Sequence, residues 1–246
     1  MALAIRFFYA KMNKAPYISI VIPAFNEEKR LARSLPLIID HLRNKDYSYE
    51  IIVSDDGSSD NTASTAKSFG ENIRVHSLPV NKGKGAAVRE GMLKAKGKYR
   101  IFSDADLSTP ITELPKILKP LENDADIAIG SRALDYGMIK KHQPFYREFM
   151  GKTFNKIVQI LLFKGISDTQ CGFKGFTAEA AEKVFSVARV DGFSFDVEVL
   201  YLAKKMNMKI EQSPVEWYND ERSTVNPVKD SINMLLELIK IRSMHK

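Results

Sequence analysis

Two aspartates spaced one apart close a short apolar run in the segment Tyr-Arg-Ile-Phe-Ser-Asp-Ala-Asp-Leu-Ser-Thr-Pro over residues 99–110. Carboxylates at the end of a buried strand are unfavourable unless they are paired or hold a cation. Asp104 and Asp106 offer hard oxygen ligands beside an open loop, which suits a divalent ion bridging a diphosphate. The chemistry this would serve is transfer from a nucleotide diphosphate, with the diphosphate as leaving group.

Two further polar clusters could serve the same chemistry. In Asp-Asp-Gly-Ser-Ser-Asp over residues 55–60, Asp55 and Asp56 could hydrogen-bond a base or a ribose hydroxyl. The same string can form an Asx turn and a helix cap through Ser59 or Asp60. In Asn-Lys-Gly-Lys-Gly over residues 81–85, glycines precede a helical stretch, so backbone amides could cradle an anion; a tight turn with a solvated lysine pair is the plainer alternative. The Walker A spacing is absent, and the position three after Gly85 is Val88, not glycine. ATPase and dehydrogenase readings lose support accordingly.

Positioning these groups requires alternating elements. Strands are predicted at 18–24, 50–54, 73–77, 99–103 and 126–130. Helical stretches are predicted at about 29–43 with Pro36 as an interruption, up to about 69, at 85–95, and after Thr109 as N-cap with Pro110 in the first helical position. One helix between successive strands implies right-handed crossovers and a mostly parallel α/β sheet flanked by helices. Ligands of such sheets bind beyond the carboxyl ends of the strands. Residues 26–28, 55–56, 81–85, 104 and 106, and Ser131-Arg132 all fall at those ends, and their convergence is the strongest signal in the sequence.

The second half is less regular. Helices are expected at about 146–163, 178–185 and 196–206, a strand at 209–213, a polar loop to 226 and a closing helix from Val228. With no repeat, low-complexity tract or linker, residues 16–246 are expected to form one domain, with 1–15 as a tail or surface-docking segment. That segment is interrupted by Arg6 and shows no cleavage site.

Composition narrows the partners. The chain of 246 residues is 44% apolar and has one cysteine, Cys171, so no intrachain disulfide is available and a cytoplasmic setting is expected. Cys171 is read as a packed small residue and Trp217 as a loop anchor. Histidines 41, 76, 142 and 245 lack zinc-ligand spacing. No apolar run reaches the ~20 residues of a membrane span. The net charge is +7, and residues 132–166 carry seven basic and two acidic residues. Such a patch attracts nucleic acid, acidic lipid or phosphate substrates, or is simply a solvated face. The acidic strand ends argue against nucleic acid. Apolar residues from 145 to 163, interleaved with Lys152, Lys156 and Lys164, favour membrane or lipid contact over core packing. For the last helix, with Val228, Ile232, Leu235, Leu236 and Ile239 on one face, packing on the core or a partner is favoured.

Taken together, Ile-Val-Ile-Pro-Ala-Phe-Asn-Glu-Glu (20–28), Val-Ser-Asp-Asp-Gly-Ser-Ser-Asp (53–60), Asn-Lys-Gly-Lys-Gly-Ala-Ala (81–87) and Asp-Ala-Asp-Leu-Ser (104–108) resemble glycosyltransferase family 2 with its GT-A fold. Gly-Ser-Arg (130–132), Asp-Thr-Gln-Cys-Gly-Phe-Lys (168–174) and Phe-Asp-Val-Glu (195–198) are similar to its dolichyl-phosphate glucosyltransferase branch. The resemblance covers about residues 16–225. It implies that Pro23, Ala24, Asn26, Glu27, Asp55, Asp56 and Ala105 surround the nucleotide, with Lys84 near base or phosphate. It implies Mg or Mn on Asp104 and Asp106, Arg132 facing the acceptor phosphate, and Gln170, Asp196 and Glu198 bordering sugar or acceptor. Arg222 would sit on a basic loop closing over the phosphates.

The implied activity is inverting transfer of glucose from UDP-glucose to a polyprenyl phosphate, with the protein peripheral on the cytoplasmic face of a membrane. A phosphate acceptor is already anionic, with a second pKa near ~6, so Asp196 is not expected to be an indispensable base. GDP-mannose as donor and a glycan hydroxyl as acceptor stay open within the family. A sugar nucleotidylyltransferase, or a basic membrane- or nucleic-acid-binding module, are the readings outside it.

Overall fold

The computed structural model describes residues 15–220 and 227–246, with side chains at 227–232 excluded. Residues 1–14 of the expected tail and Arg222 lie outside the described residues, as do the side chains of Val228 and Ile232.

Seven strands form one sheet in the order β3-β2-β1-β4-β7-β5-β8. They are β1 (Ile18–Ala24), β2 (Tyr49–Asp55), β3 (Ile73–Ser77), β4 (Tyr99–Ser103), β5 (Ile127–Ser131), β7 (Phe173–Thr177) and β8 (Ile210–Pro214). A two-stranded piece pairs β6 (Ile139–Lys141) with β9 (Trp217–Tyr218). The helices are α1 (Glu28–Arg43), α2 (Thr62–Lys67), α3 (Lys84–Lys94), α4 (Leu114–Glu122), α5 (Phe145–Leu161), α6 (Ala178–Phe185), α7 (Phe195–Lys205) and α8 (Pro227–Met244).

The β1 run is apolar almost throughout because both of its faces are covered. Ile18, Ile20 and Ile22 pack with Leu31, Leu35 and Ile38 of α1 and Leu114 and Ile117 of α4. Val21 points the other way, into a core with Val88 and Met92 of α3 and Val197 and Leu200 of α7. Parallel register brings Ala24 beside Asp55 and Asp55 beside Ser77, so the carboxyl ends of β1, β2 and β3 finish together.

Strand β7 was not anticipated. Its sequence, Phe-Lys-Gly-Phe-Thr, contains a lysine and a glycine, yet it runs antiparallel between β4 and β5. Gly175 makes room for α4: a Cβ there would meet Ile117 Cγ2 at 2.5 Å and Leu121 Cδ1 at 2.9 Å. An antiparallel strand starts where its parallel neighbours end. The segment 168–172 is thereby delivered to the carboxyl edge, where the Asp104 amide donates to the Gly172 carbonyl at 3.1 Å.

Other boundaries differ in instructive ways. Pro36 does not interrupt α1, which runs through it with Leu31, Leu35, Ile38 and Leu42 buried. Thr109 is not an N-cap; a 3₁₀ turn (Ile111–Glu113) intervenes, and the proline near the start of α4 is Pro115. The last helix packs on the core, but among the described side chains only Leu235 of the expected stripe takes part. Met234, Leu238 and Ile241 are buried, Leu235 is half-buried, and Leu236 and Ile239 are exposed. Among the described residues no helix is long and apolar enough to cross a membrane.

Candidate active site

The turn after β4 holds the two carboxylates in a constrained backbone. Leu107, directly after Asp106, has φ +52°, a conformation non-glycine residues seldom adopt. The Leu107 amide donates to the Asp104 carbonyl at 3.2 Å, and the Ser108 amide to Asp106 Oδ1 at 2.8 Å. Asp104 Oδ1 lies 2.6 Å from Lys84 Nζ. Burial, reinforced by the Asp104 charge, pushes the Asp106 carboxyl above the ordinary range, while Lys84 opposes the shift. A Cβ at residue 172 would overlap the Asp104 carboxylate, so Gly172 is what gives that side chain its room.

The loops after β1 and β2 are stitched together by Asn26. Its backbone adopts φ +54°. Its amide donates to Ser58 Oγ at 2.9 Å, and its side-chain oxygen accepts from the Ser59 amide at 2.9 Å. Asp55 Oδ1 takes the Ser58 amide at 3.0 Å. Glu27 pairs with Arg30, which also reaches Asp220 at 3.1 Å. Pro23 and Ala24 form the buried end of β1 against Ser54 and Asp55, and Ala105 is buried within the turn between Asp104 and Asp106.

The expectations for Asp56 and for the glycine-rich loop both change. Asp56 is turned into the fold: its oxygens accept the Lys82 amide at 2.9 Å and the Gly83 amide at 2.7 Å. The first amides of α3 are also occupied, since Gly85 and Ala86 donate to the Asp191 carbonyl at 2.7 and 3.3 Å. The loop therefore presents Lys84 rather than an amide cradle.

Arg132 follows β5 and is gripped by Asp168, its Nε and Nη2 donating at 2.7 and 2.8 Å, with its own amide adding a third bond at 3.0 Å. Its guanidinium also lies over the Trp217 ring, 5.4 Å from the centroid, giving that residue a role at the site. The Arg132 charge beside it holds Asp168 down at about 2, against the opposing effect of burial. Gln170 sits next in the segment, its amide donating to Asp168 Oδ1 at 3.2 Å.

Asp196, at the start of α7, is nearly fully buried and bonded to the ammonium of Lys174, which also donates to the Cys171 carbonyl at 2.6 Å. Burial raises the Asp196 carboxyl above its usual range, while Lys174 and Lys84 pull the other way. Glu198 is not brought to the site. It is fully buried on the far side of α7, accepting the Arg189 and Val190 amides. Cys171 is packed and inert, its thiol pushed up to about 11 by burial.

Sequence reasoning missed Asp168, Lys174 and Arg147 as individual contributors. A cavity of about 760 Å³ runs from Lys84 and Asp196 past Arg132 and Gln170 to α5, where Arg147 and Phe149 line it. Arg147 Nε is buried with no hydrogen-bond acceptor among the described residues. Its signal was present as one of the basic residues in the 132–166 window, but a charge window does not say which member faces inward.

Asp104 and Asp106 fit a hard divalent cation of the Mg or Mn type. Among the described residues no three His, Cys, Asp or Glu side chains cluster as an all-protein cage. Two carboxylates with the remaining positions left to phosphate oxygens is the donor set such ions take at nucleotide sites.

A central, mostly parallel sheet with acids, lysine and arginine at its carboxyl edge defines a nucleotide-sugar transferase of the GT-A fold. Solved structures agree on the fold. Glucosyl-3-phosphoglycerate synthase from Mycobacterium tuberculosis, solved with Mn2+, UDP and glucosyl-3-phosphoglycerate, matches at TM-score 0.65 and 21% identity, over 96% of this chain and 81% of that one. Mannosyl-3-phosphoglycerate synthase from Rubrobacter xylanophilus matches at TM-score 0.70 and 18% identity, over 98% and 76%. The family description "Glycosyl transferase family 2" matches residues 19–185. The chain belongs to glycosyltransferase family 2. Among curated relatives, the dolichyl-phosphate beta-glucosyltransferase of Dictyostelium discoideum is 40% identical over 250 residues, covering 94% of this chain and 76% of the relative. The human protein of that name is 36% identical, over 92% and 74%.

Two outcomes follow from this geometry. Asp168 lies at about 2 in the fold against a usual 3.8, so its stabilisation is complete above about pH 4 and drains away as pH falls towards 2. The shift corresponds to about 2 kcal/mol. Asp168→Asn should abolish that acid-dependent slope and lose about 3 kcal/mol at neutral pH by leaving Arg132 unpaired; urea unfolding at pH 7 and pH 3 measures both. Gly172→Ala should displace the Asp104 carboxylate and weaken Mn2+ binding about tenfold without unfolding the protein. An electron paramagnetic resonance titration with Mn2+ and UDP reads this, and unchanged affinity would remove Gly172 from the site.

Proposed function

We propose that this protein transfers glucose from UDP-glucose to the phosphate of a dolichyl-type polyprenol, with inversion, while docked on the cytoplasmic face of a membrane. The observation that carries the reading is the cavity, which has Lys84, the partner of Asp104, at one end and a basic, aromatic helix at the other. The names of the relatives supply glucose and the dolichyl acceptor.

Pro23, Ala24, Asn26, Glu27, Asp55 and Ala105 form the nucleotide end, with Asp56 acting through the loop that it holds. Asp104 and Asp106 would hold Mg or Mn, which supplies charge stabilisation to the departing diphosphate when bound. Lys84, already 2.6 Å from Asp104, adds a cation on the same side. The incoming phosphate needs no proton removed, so the demand on the protein is electrostatic: two anions must approach each other. Arg132 has its charge largely committed to Asp168, which makes it a rigid wall of the acceptor end. Arg147 has an uncommitted buried Nε and is the better phosphate ligand. Asp196, fixed by Lys174, and Gln170 serve as acceptors that orient sugar hydroxyls.

Helix α5 links the cavity to a membrane. Phe145, Phe149, Lys152, Lys156 and Ile160 recur at helical spacing on one face, and Phe145 and Ile160 are 83% and 79% exposed. Phe154 and Val158 take the opposite face into the core. A mixed apolar and basic stripe suits the interface of an anionic bilayer.

The deciding assay gives purified protein radiolabelled UDP-glucose or GDP-mannose, dolichyl phosphate, detergent and Mn2+. Label should enter the organic phase from UDP-glucose and be lost in Asp104→Ala. Arg147→Gln should raise the acceptor KM about tenfold with the donor KM unchanged, the loss of one charged hydrogen bond. Label only from GDP-mannose would change the donor; none at all, with UDP still bound, would redirect the search to a glycan acceptor. In flotation with vesicles containing anionic lipid, reversing charge at Lys152 and Lys156 together should cut the bound fraction severalfold, at about 1 kcal/mol per lost cation. Insensitivity to that change would count against docking through α5.

A further inference from the structure

Glu198 has no part in the chemistry above, yet it is fully buried, and a buried carboxylate is retained only with complete partners. Its partners are the Arg189 amide at 2.9 Å, the Val190 amide at 2.8 Å and, from the far end of the chain, His245 Nε2 at 2.7 Å. The imidazole is itself only 8% exposed.

What Glu198 holds is the loop entering α7, and that loop touches both the start of α3 and the cavity. Its Asp191 carbonyl caps α3 at Gly85 and Ala86, and its Asp191 carboxylate binds Arg89 at 2.7 Å. The fit is tight, because a Cβ on Gly83 would overlap the Asp191 carbonyl. Helix α3 begins with Lys84, the partner of Asp104. Two residues beyond Asp191, Phe193 lines the cavity, and Asp196 follows.

We propose that His245 is a positioning residue for glycosyl transfer. By completing the shell of Glu198 it fixes the 189–196 loop, which sets Lys84 on the donor side and Phe193 and Asp196 on the acceptor side. The inference rests on the transferase reading for its consequence and on geometry alone for the coupling.

Hydrogen exchange on the full chain tests the coupling. In His245→Ala, amides at 83–86 and 189–191 should exchange about tenfold faster, with β2 unchanged. His245→Gln can donate a side-chain amide to Glu198 and should restore most of the protection. Ile241→Val removes a methylene from the last turn of α8, just before His245, without touching Glu198 and should leave these amides slow. The UDP–Mn2+ Kd should rise about fivefold in His245→Ala and return in His245→Gln, as expected for a buried group losing one partner. Should the alanine variant not fold, His245→Asn, too short to reach Glu198, carries the same test. Unchanged exchange at 83–86, or equal acceleration in Ile241→Val, overturns the inference. A wild-type protein that binds no UDP would overturn the donor reading instead, and the exchange pattern would still decide the role of His245.

Discussion

Acids buried near the ends of strands are costly unless partnered, and most of those here have a partner of opposite charge or a pair of amide donors. This constraint organises the carboxyl edge and the buried helix α7 beside it. Asp104 has Lys84, Asp168 has Arg132, Asp196 has Lys174, Glu198 has His245 with two amides, and Asp56 has the amides of Lys82 and Gly83. Each partner comes from a different element than the acid it satisfies. The pairs therefore cross-link α3 to the β4 turn, β5 to the segment before β7, β7 to α7, and α7 to the chain beyond α8. An edge that would otherwise be a row of independent loops becomes one electrostatic unit.

The antiparallel β7 makes that unit possible. In a purely parallel sheet the neighbours β4 and β5 would adjoin directly, and only loops leaving the edge could supply side chains. A strand entering from that edge adds a segment that arrives there, carrying Asp168, Gln170 and Gly172. Its fully buried Lys174 then reaches back to Asp196 with the Phe102 ring beneath it, 5.2 Å from the ammonium. Burying a lysine is strongly unfavourable without a carboxylate and a carbonyl to receive it, so the placement of Lys174 and that of Asp196 fix each other.

The sequence was most legible where local chemistry and burial coincide. β1, β3 and β4 could be bounded because their apolar runs end in polar turns, and the acids of the site could be found because acids rarely close such runs. It was less legible where two physical readings fit one pattern. The α8 helix has two apolar stripes, and spacing alone could not choose Met234, Leu238 and Ile241 over Leu236 and Ile239. β7 was hidden because Lys174 and Gly175 are poor strand formers in isolation; their partners, Asp196 and α4, lie far off in sequence. Glu198 was recoverable in principle. Two residues apart on a helix do not share a face, so Asp196 and Glu198 could not both border one cavity.

Helix α5 shows how one element can serve three environments at once. Phe154 and Val158 commit it to the core, Arg147, Phe149, Lys152 and Lys156 line the cavity, and Phe145 and Ile160 are left exposed. A lipid acceptor has a tail that belongs in the bilayer and a phosphate that must meet the sugar. A helix lying at the interface, with its aromatic face outward and its arginine inward, would pass the phosphate to the donor site without exposing the tail to water. The breadth of apolar residues that distinguishes this helix from a simple amphipathic stripe accompanies its division between the core, the cavity and an exposed face.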